Sequence, residues 1–156
     1  MNPLHKTNTA MARDLVALVP YIKSDVLLDP CSGSPKVWYD AFNCDVKKEC
    51  EIEEGGDFFE WEEQVDWIIG NPPFEHGWDF ILHSAKIARK GIAFLHSING
   101  INSLTPARLE KLKALGLYVQ SIHIVADKRW FGRYYFIIIE RNVPGILTWN
   151  TTLYKD

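Results

Sequence analysis

The 156-residue chain lacks several features that would define its class at once. Its three cysteines are an odd number at irregular spacing, which fits reduced thiols in a reducing compartment rather than a disulfide framework. No Cys/His grouping has zinc spacing, so we expect no metal. No apolar run is long enough to span a bilayer and no signal-peptide pattern is present, so the sequence predicts a cytoplasmic protein without a membrane partner.

Neither sign of charge predominates, because 17 Lys and Arg residues nearly balance 20 Asp and Glu residues and leave a net charge of −3. This balance gives no overall electrostatic footprint for a nucleic-acid binder, so contact with a long duplex would depend on a local basic patch. Aromatic residues, in contrast, are plentiful: six Trp, six Tyr and eight Phe. A chain of this length can bury a core without disulfides or metals, and we expect a single domain over 1–156.

The stretch at 65–74 is the most informative in the chain, because an apolar run stops abruptly at Gly-Asn-Pro-Pro-Phe. The pattern predicts a buried strand followed by a loop that Pro72 and Pro73 hold rigid. The side-chain oxygen of Asn71 and the Pro72 carbonyl can accept hydrogen bonds from an exocyclic amine, while the Phe74 ring stacks on its base. The alternative is a plain Pro-Pro turn beside a surface asparagine.

Another short apolar strand, at 26–29, runs into a turn of small residues, Asp29-Pro-Cys-Ser-Gly33-Ser-Pro35. Such a turn lets the backbone approach a ligand closely, as in nucleotide-binding strand–turn–helix units. We expect Pro35 at the first position of a helix that reaches Phe42, because the missing N–H of proline costs nothing there.

Acidic residues follow the next predicted strand. In dinucleotide-binding folds a carboxylate about 20 residues after the glycine turn grips the ribose hydroxyls. Glu51 lies 18 positions after Gly33 and is our candidate, with Asp45 in reserve. Asp57 and Phe58 come shortly after it. The alternative interpretation of this acidic stretch is a solvated loop.

These three segments resemble, in the same order, motifs I, III and IV of the S-adenosylmethionine-dependent amino-methyltransferases, chiefly the N6-adenine DNA enzymes of small phage type. The resemblance covers about residues 26–74 and departs from the family pattern at Pro35, where glycine is expected. It implies S-adenosylmethionine as cofactor, with Asp29 at the methionine ammonium and Asp57 and Phe58 at the adenine. The cofactor residues implied are Asp29, Pro30, Cys31, Gly33, Glu51, Asp57 and Phe58. The catalytic residues implied are Asn71, Pro72, Pro73 and Phe74.

The activity that the resemblance implies is methyl transfer to the N6 amino group of adenine in DNA, with the base extruded from its stack. The same tetrapeptide serves enzymes that methylate RNA adenine or a protein glutamine amide. A non-catalytic partner subunit that keeps the methyltransferase fold is a further alternative. We expect no separate target-recognition domain within 1–156, and a homodimer or a partner subunit could provide that surface. A phage-type enzyme would act in the cytoplasm of a bacterium or a phage-infected host cell.

Alternating apolar runs and helical patterns predict an α/β fold. The resemblance specifies a Rossmann-like class I methyltransferase fold, a mostly parallel doubly wound sheet with a C-terminal antiparallel hairpin. Helices are predicted over 8–23, 77–89 and 105–115. Late strands are predicted at 118–127, 134–141 and 146–150. We expect Gly91 to end the second of these helices, and the usual third strand of the fold to be reduced to 57–61.

The loop of the predicted hairpin combines basic and aromatic residues, a set that can contact phosphates and stack on an exposed base. We therefore expect this loop to bind the nucleic-acid substrate. Its candidate residues are Lys128, Arg129, Trp130, Phe131 and Arg133. The alternative is that one of the two aromatic residues caps the sheet edge.

Overall fold

The computed structural model describes residues 6–129 and 132–155. They form a six-stranded sheet with helices packed on both faces. The strands are β1 (Val26–Asp29), β2 (Val46–Glu49), β3 (Val65–Gly70), β4 (Ala88–His96), β5 (Leu117–Val125) and β6 (Tyr134–Arg141). The α-helices are α1 (Thr9–Val16), α2 (Val37–Ala41), α3 (Gly77–Ile87), α4 (Ile98–Asn102) and α5 (Pro106–Ala114). Short 3-10 helices occur at Ile52–Glu54, Phe58–Glu60 and Phe74–His76.

The strand order is β2-β1-β3-β4-β6-β5. The pairs β1–β2, β1–β3 and β3–β4 are parallel, whereas β6 runs antiparallel to both β4 and β5. This confirms the predicted α/β architecture, a mostly parallel doubly wound sheet with an antiparallel hairpin near the C-terminus. The chain moves outward from β1 in both directions, so the strand order reverses between β1 and β3, where ligands of open α/β sheets bind.

The apolar run of β3 shows how the sequence places the sheet between two cores. Ile68 packs with the cluster that includes α3 and α5, whereas Trp67 and Ile69 pack with the cluster that includes α1 and α2. All three side chains are fully buried. Burial of a side chain of this size contributes about 1.5–3 kcal/mol. A strand covered on both faces therefore needs a continuous apolar run rather than an alternating one.

The first predicted helix is shorter in the structure than in the prediction. The helix predicted over 8–23 begins as predicted, with the Asn8 side chain accepting a hydrogen bond from Ala10 N at 2.8 Å, but it ends at Val16. Pro20 follows soon after, and it disfavours helical backbone at the residue before it. The start of α5 agrees with its prediction, since Thr105 caps the helix and Pro106 begins it.

Gly91 does not end α3, and this prediction was wrong. The chain passes from α3 directly into β4 at Ala88, so Gly91 lies inside the strand. A Cβ atom on Gly91 would stand 2.4 Å from the Ile139 carbonyl oxygen and 2.4 Å from Trp67 Cζ3. Glycine is therefore required here by the close packing of the indole over the strand.

Three further predictions need correction. Residues 57–61 do not form a reduced strand, because they make the 3-10 helix Phe58–Glu60. No strand forms at 146–150, where Trp149 instead packs against the core and its indole N–H donates to Glu110 at 2.9 Å. Pro35 precedes α2 rather than opening it, since Lys36 is the N-cap residue of that helix.

Candidate active site

The two main sequence motifs meet because β1 and β3 are parallel neighbours whose carboxyl ends share one edge of the sheet. The turn after β1 and the loop after β3 touch directly, with the Cys31 thiol donating to the Asn71 carbonyl at 3.2 Å. Beneath this contact, a Cβ atom on Gly70 would stand 2.9 Å from Oδ1 of Asp29. The glycine at the end of β3 therefore permits the close approach of the two strand ends.

A cleft of about 560 Å³ opens between the turn and the loop. This volume lies in the range of about 300–1,000 Å³ that is usual for small-ligand sites. The cleft brings together the whole predicted catalytic tetrapeptide and two predicted cofactor residues, Cys31 and Gly33. The segment before α1 forms a further wall. The lining residues are Lys6, Thr7, Asn8, Thr9, Cys31, Ser32, Gly33, Ser34, Pro35, Val37, Trp38, Asn71, Pro72, Pro73, Phe74, Glu75 and His76.

Thr7 joins the wall before α1 to the Asn71 loop. Nδ2 of Asn71 donates a hydrogen bond to Thr7 Oγ1 at 3.1 Å, and the Trp38 indole N–H donates to the same oxygen at 2.9 Å. Sequence reasoning missed this contact, because Thr7 and Asn71 are 64 residues apart and no local pattern relates them. On the other side of the loop, the Phe74 ring lies against Tyr134, with ring centroids 5.8 Å apart.

A second cleft, of about 350 Å³, adjoins the first on the side of β2. Two predicted cofactor residues, Glu51 and Asp57, line it. The clefts are linked by a hydrogen bond from the backbone N–H of Gly33 to Oε2 of Glu51. Gly33 has a φ of +66°, a conformation that favours glycine. The lining residues are Glu49, Cys50, Glu51, Glu54, Gly55, Gly56, Asp57, Glu60 and Trp61.

Three of the predicted cofactor residues lie below the clefts rather than in their walls. Asp29 and Pro30 are buried under the turn, and neither lines a cleft. Phe58 is 3% exposed and stacks on Phe80, with ring centroids 5.1 Å apart. The expectation that Phe58 packs on a cofactor ring therefore needs correction, because the core occupies its face. Trp61 is the aromatic residue that lines the second cleft.

The floor of the site carries buried acidic groups. The pKa of Asp29 is raised to about 7, chiefly by burial; the Cys31 backbone N–H lowers it in part and the charge of Glu49 adds to the rise. Oδ1 of Asp29 accepts that N–H at 3.2 Å, whereas Oδ2 is buried and has no hydrogen-bond partner in the described part of the chain. Burial also raises the pKa of the Cys31 thiol, which keeps it protonated. Burial opposes ionisation of Glu49 as well, but its bond to Lys36 leaves its pKa below the usual value.

The predicted substrate loop reaches the rim of the first cleft through one residue. The loop residues that the structure describes, all exposed, are Lys128, Arg129 and Arg133; Trp130 and Phe131 lie outside the described residues. Arg129 pairs with Asp127 at 2.6 Å and donates a hydrogen bond to the Lys6 carbonyl at 2.7 Å. Because Lys6 lines the cleft, Arg129 fixes the segment before α1 to the hairpin. Lys128 and Arg133 line neither cleft.

Between residues 6 and 155, leaving out 130 and 131, no group of three or more His, Cys, Asp and Glu side chains is placed to hold a metal ion. Within these residues no helix is both long enough and apolar enough to cross a membrane.

No family model matches the sequence, and no curated protein matches it. Several solved structures do match. A Pyrococcus horikoshii protein assigned as an RNA methyltransferase matches with a TM-score of 0.65 at 18% identity, over 91% of this chain and 85% of its own. Magnesium protoporphyrin IX methyltransferase of Synechocystis PCC 6803, solved with bound S-adenosylmethionine, matches with a TM-score of 0.62 at 10% identity, over 89% and 88%.

A chain from a type I restriction–modification system also matches, with a TM-score of 0.65 at 15% identity. The match covers 90% of this chain and 43% of that one. At such low identity these likenesses concern the fold. They confirm the sequence prediction: the chain has the Rossmann-like fold of the class I S-adenosylmethionine-dependent methyltransferases.

Proposed function

We propose that this protein transfers a methyl group from S-adenosylmethionine to the N6 amino group of adenine in DNA. One observation carries the proposal: the glycine turn after β1 and the loop at 71–74 form walls of the same cleft. The fold is shared with enzymes that use this cofactor. The loop, in turn, has the two acceptors and the aromatic ring that recognition of a planar amine requires.

The residues around the two clefts fit S-adenosylmethionine. Gly33, which carries no side chain, lines the first cleft. Asp29 lies buried beneath the turn, with Oδ2 unpartnered among the described residues, and its ionised form attracts a cationic group bound above it. In the second cleft, Glu51 and Asp57 can accept hydrogen bonds from ribose hydroxyls and an adenine amine, and Trp61 offers a ring for packing. We therefore assign the methionine portion to the first cleft and the adenosine portion to the second.

When bound, S-adenosylmethionine supplies a methyl group on a cationic sulfur, which is released as a neutral thioether. The protein contributes positioning and desolvation of the acceptor amine. Asn71 Oδ1 and the Pro72 carbonyl accept hydrogen bonds from the two amine N–H groups, which draws the nitrogen lone pair out of conjugation and directs it at the methyl group. Phe74, supported by Tyr134, stacks on the base. The methylated nitrogen then loses a proton to water, so no strong base is needed.

Nucleic acid is the substrate class that we favour. The likeness to a chain of a type I restriction–modification system supports DNA. Exposed Lys128 and Arg133 stand on the hairpin loop, whose Arg129 reaches the rim of the cleft. With a net charge of −3, the chain has no overall positive charge that would favour tight binding of a long duplex. We propose that a second copy or a partner subunit contributes the sequence recognition.

RNA adenine is the second candidate substrate. The likeness to the Pyrococcus horikoshii protein assigned as an RNA methyltransferase favours it. A base in a single strand is also cheaper to extrude than a paired one. The acceptors at Asn71 and Pro72 would serve this substrate equally well.

A transfer assay with labelled S-adenosylmethionine distinguishes these substrates. The acceptors are unmethylated duplex DNA, single-stranded DNA, RNA and bulk protein. We expect label in DNA with the wild-type protein, loss of label with Asn71→Ala, and full activity with Asn43→Ala, an exposed asparagine that lines neither cleft. Label in RNA alone would support the same methyl-transfer chemistry with RNA, rather than DNA, as the substrate. Full activity of Asn71→Ala would contradict the mechanism.

A further inference from the structure

A single hydroxyl, that of Thr7, connects three distant parts of the chain beside the cleft. Thr7 lies before α1, Trp38 lies in α2, and Asn71 follows β3. The indole N–H of Trp38 and Nδ2 of Asn71 both donate to Thr7 Oγ1, at 2.9 and 3.1 Å. The Thr7 oxygen therefore acts as the common acceptor of both donors.

The indole fixes one of the hydrogen bonds that the hydroxyl makes. An indole N–H can only donate, so Thr7 Oγ1 has to accept from Trp38, and its remaining lone pair can accept from Asn71. Trp38 itself is 3% exposed and stacks on Phe136, with ring centroids 5.8 Å apart and planes at 17°. The hydroxyl is thus held by a side chain that the core keeps in place.

The backbone on each side of Thr7 is also tied down. The next residue, Asn8, caps α1 by accepting a hydrogen bond from Ala10 N at 2.8 Å. The preceding residue, Lys6, offers its carbonyl to Arg129 at 2.7 Å. Threonine is β-branched, so its side chain has few rotamers to choose from. Thr7 is therefore held in position from the backbone as well as from Trp38.

We propose that Thr7 is a positioning residue that orients the side-chain amide of Asn71. An amide has a donor end and an acceptor end, and only the acceptor end can polarise an amine. By holding Nδ2, Thr7 turns Oδ1 to the opposite edge of the amide, and this oxygen is the acceptor that the proposed function uses. The catalytic meaning of this role rests on the proposed function, but the hydrogen bonds themselves do not.

Four variants separate this role from general packing. Thr7→Val keeps the shape and removes the oxygen, whereas Thr7→Ser keeps the oxygen. Trp38→Phe keeps an aromatic ring and removes the indole donor. Trp149→Phe is its matched control, because it removes an indole N–H that donates to Glu110 away from both clefts.

The first readout is nuclear magnetic resonance of the ¹⁵N-labelled protein, whose 18.0 kDa is within reach of the method. In Thr7→Val, the Asn71 side-chain NH2 and the Trp38 indole N–H should shift and exchange faster with water. In Thr7→Ser both should stay near their wild-type positions, and in Trp149→Phe they should not change. Unchanged Asn71 NH2 resonances in Thr7→Val would overturn the inference, whether or not the protein is active.

The second readout is kinetic. Thr7→Val should lower kcat on the order of 10-fold to 100-fold, the loss expected when a reacting group is misplaced, while cofactor affinity stays near wild type. Thr7→Ser should recover most of kcat. Loss of cofactor affinity with kcat intact at saturation would overturn the inference and make Thr7 a cofactor contact. If the wild-type protein transfers no methyl group, the proposed function fails, and the resonances still decide whether Thr7 orients Asn71.

Discussion

Replacement of Asp29 by asparagine should stabilise the fold at neutral pH, although Asp29 belongs to a predicted cofactor motif. The carboxyl group is fully buried at the end of β1. Burial and, to a smaller extent, the neighbouring charge of Glu49 raise its pKa to about 7. Asparagine keeps the shape and an oxygen that can accept the Cys31 N–H, but it cannot ionise. The variant therefore avoids the cost of a buried charge above the pKa.

The size of the effect follows from proton linkage. The pKa of Asp29 rises from 3.8 to about 7 on folding, so the folded state binds the proton more tightly than the unfolded state. Wild-type stability should therefore fall as the pH rises between these values, and the penalty should be fully present above pH 7. One pKa unit corresponds to about 1.36 kcal/mol, which makes the penalty about 4 kcal/mol.

Urea unfolding of the cofactor-free protein measures this directly. Between about pH 4 and pH 8, the free energy of unfolding of Asp29→Asn should gain about 4 kcal/mol relative to the wild type. Asp45→Asn, at an exposed carboxyl in the same region, is the matched control and should show no such divergence. A gap between Asp29→Asn and wild type that does not change with pH would refute the reasoning.

Three more predictions concern binding and packing. A bound cation favours the ionised form of Asp29, so the affinity for S-adenosylmethionine should fall as the pH drops below about 7. The Asp29→Asn variant should lack this pH dependence. A wild-type affinity that does not change with pH in calorimetric titration would contradict the idea. Gly91→Ala places a Cβ atom 2.4 Å from the Ile139 carbonyl, and the overpacking should cost about 1–3 kcal/mol in urea unfolding; a neutral substitution would disprove the close contact. Asn8→Ala removes the cap of α1 and should cost about 0.5–2 kcal/mol; kcat should fall too, because Thr7 loses its support, and unchanged unfolding would speak against the cap.

The parts of the site that depend on local pattern could be predicted from the sequence. Each half of it is an apolar strand followed by residues that constrain the backbone, glycine at 33 and prolines at 72 and 73. The carboxyl ends of neighbouring parallel strands meet at one edge, so the two halves had to lie close together. The structure brings Gly33, Cys31 and the loop at 71–74 to one cleft in agreement with that expectation.

Contacts between distant segments could not be predicted in this way. Phe58 and Phe59 are adjacent aromatic residues that both contact Phe80 in α3, and nothing in the local sequence indicates that Phe58 is the buried one. The Thr7–Asn71 hydrogen bond spans 64 residues and depends on where α1 docks. Gly91 looked like a helix end because glycine often is one, whereas its real constraint is an indole from the neighbouring strand.

The central claim is that one cleft brings the cofactor and the Asn71 loop together to methylate the amino group of adenine. Identification of the methylated atom tests it most directly. A DNA acceptor is incubated with S-adenosylmethionine and either wild-type protein or Asn71→Ala, digested to nucleosides, and analysed by mass spectrometry. We predict N6-methyladenine from the wild type and its loss in the variant, with the cofactor still bound. Methylation at another atom, or equal yields of N6-methyladenine from both proteins, would contradict the account.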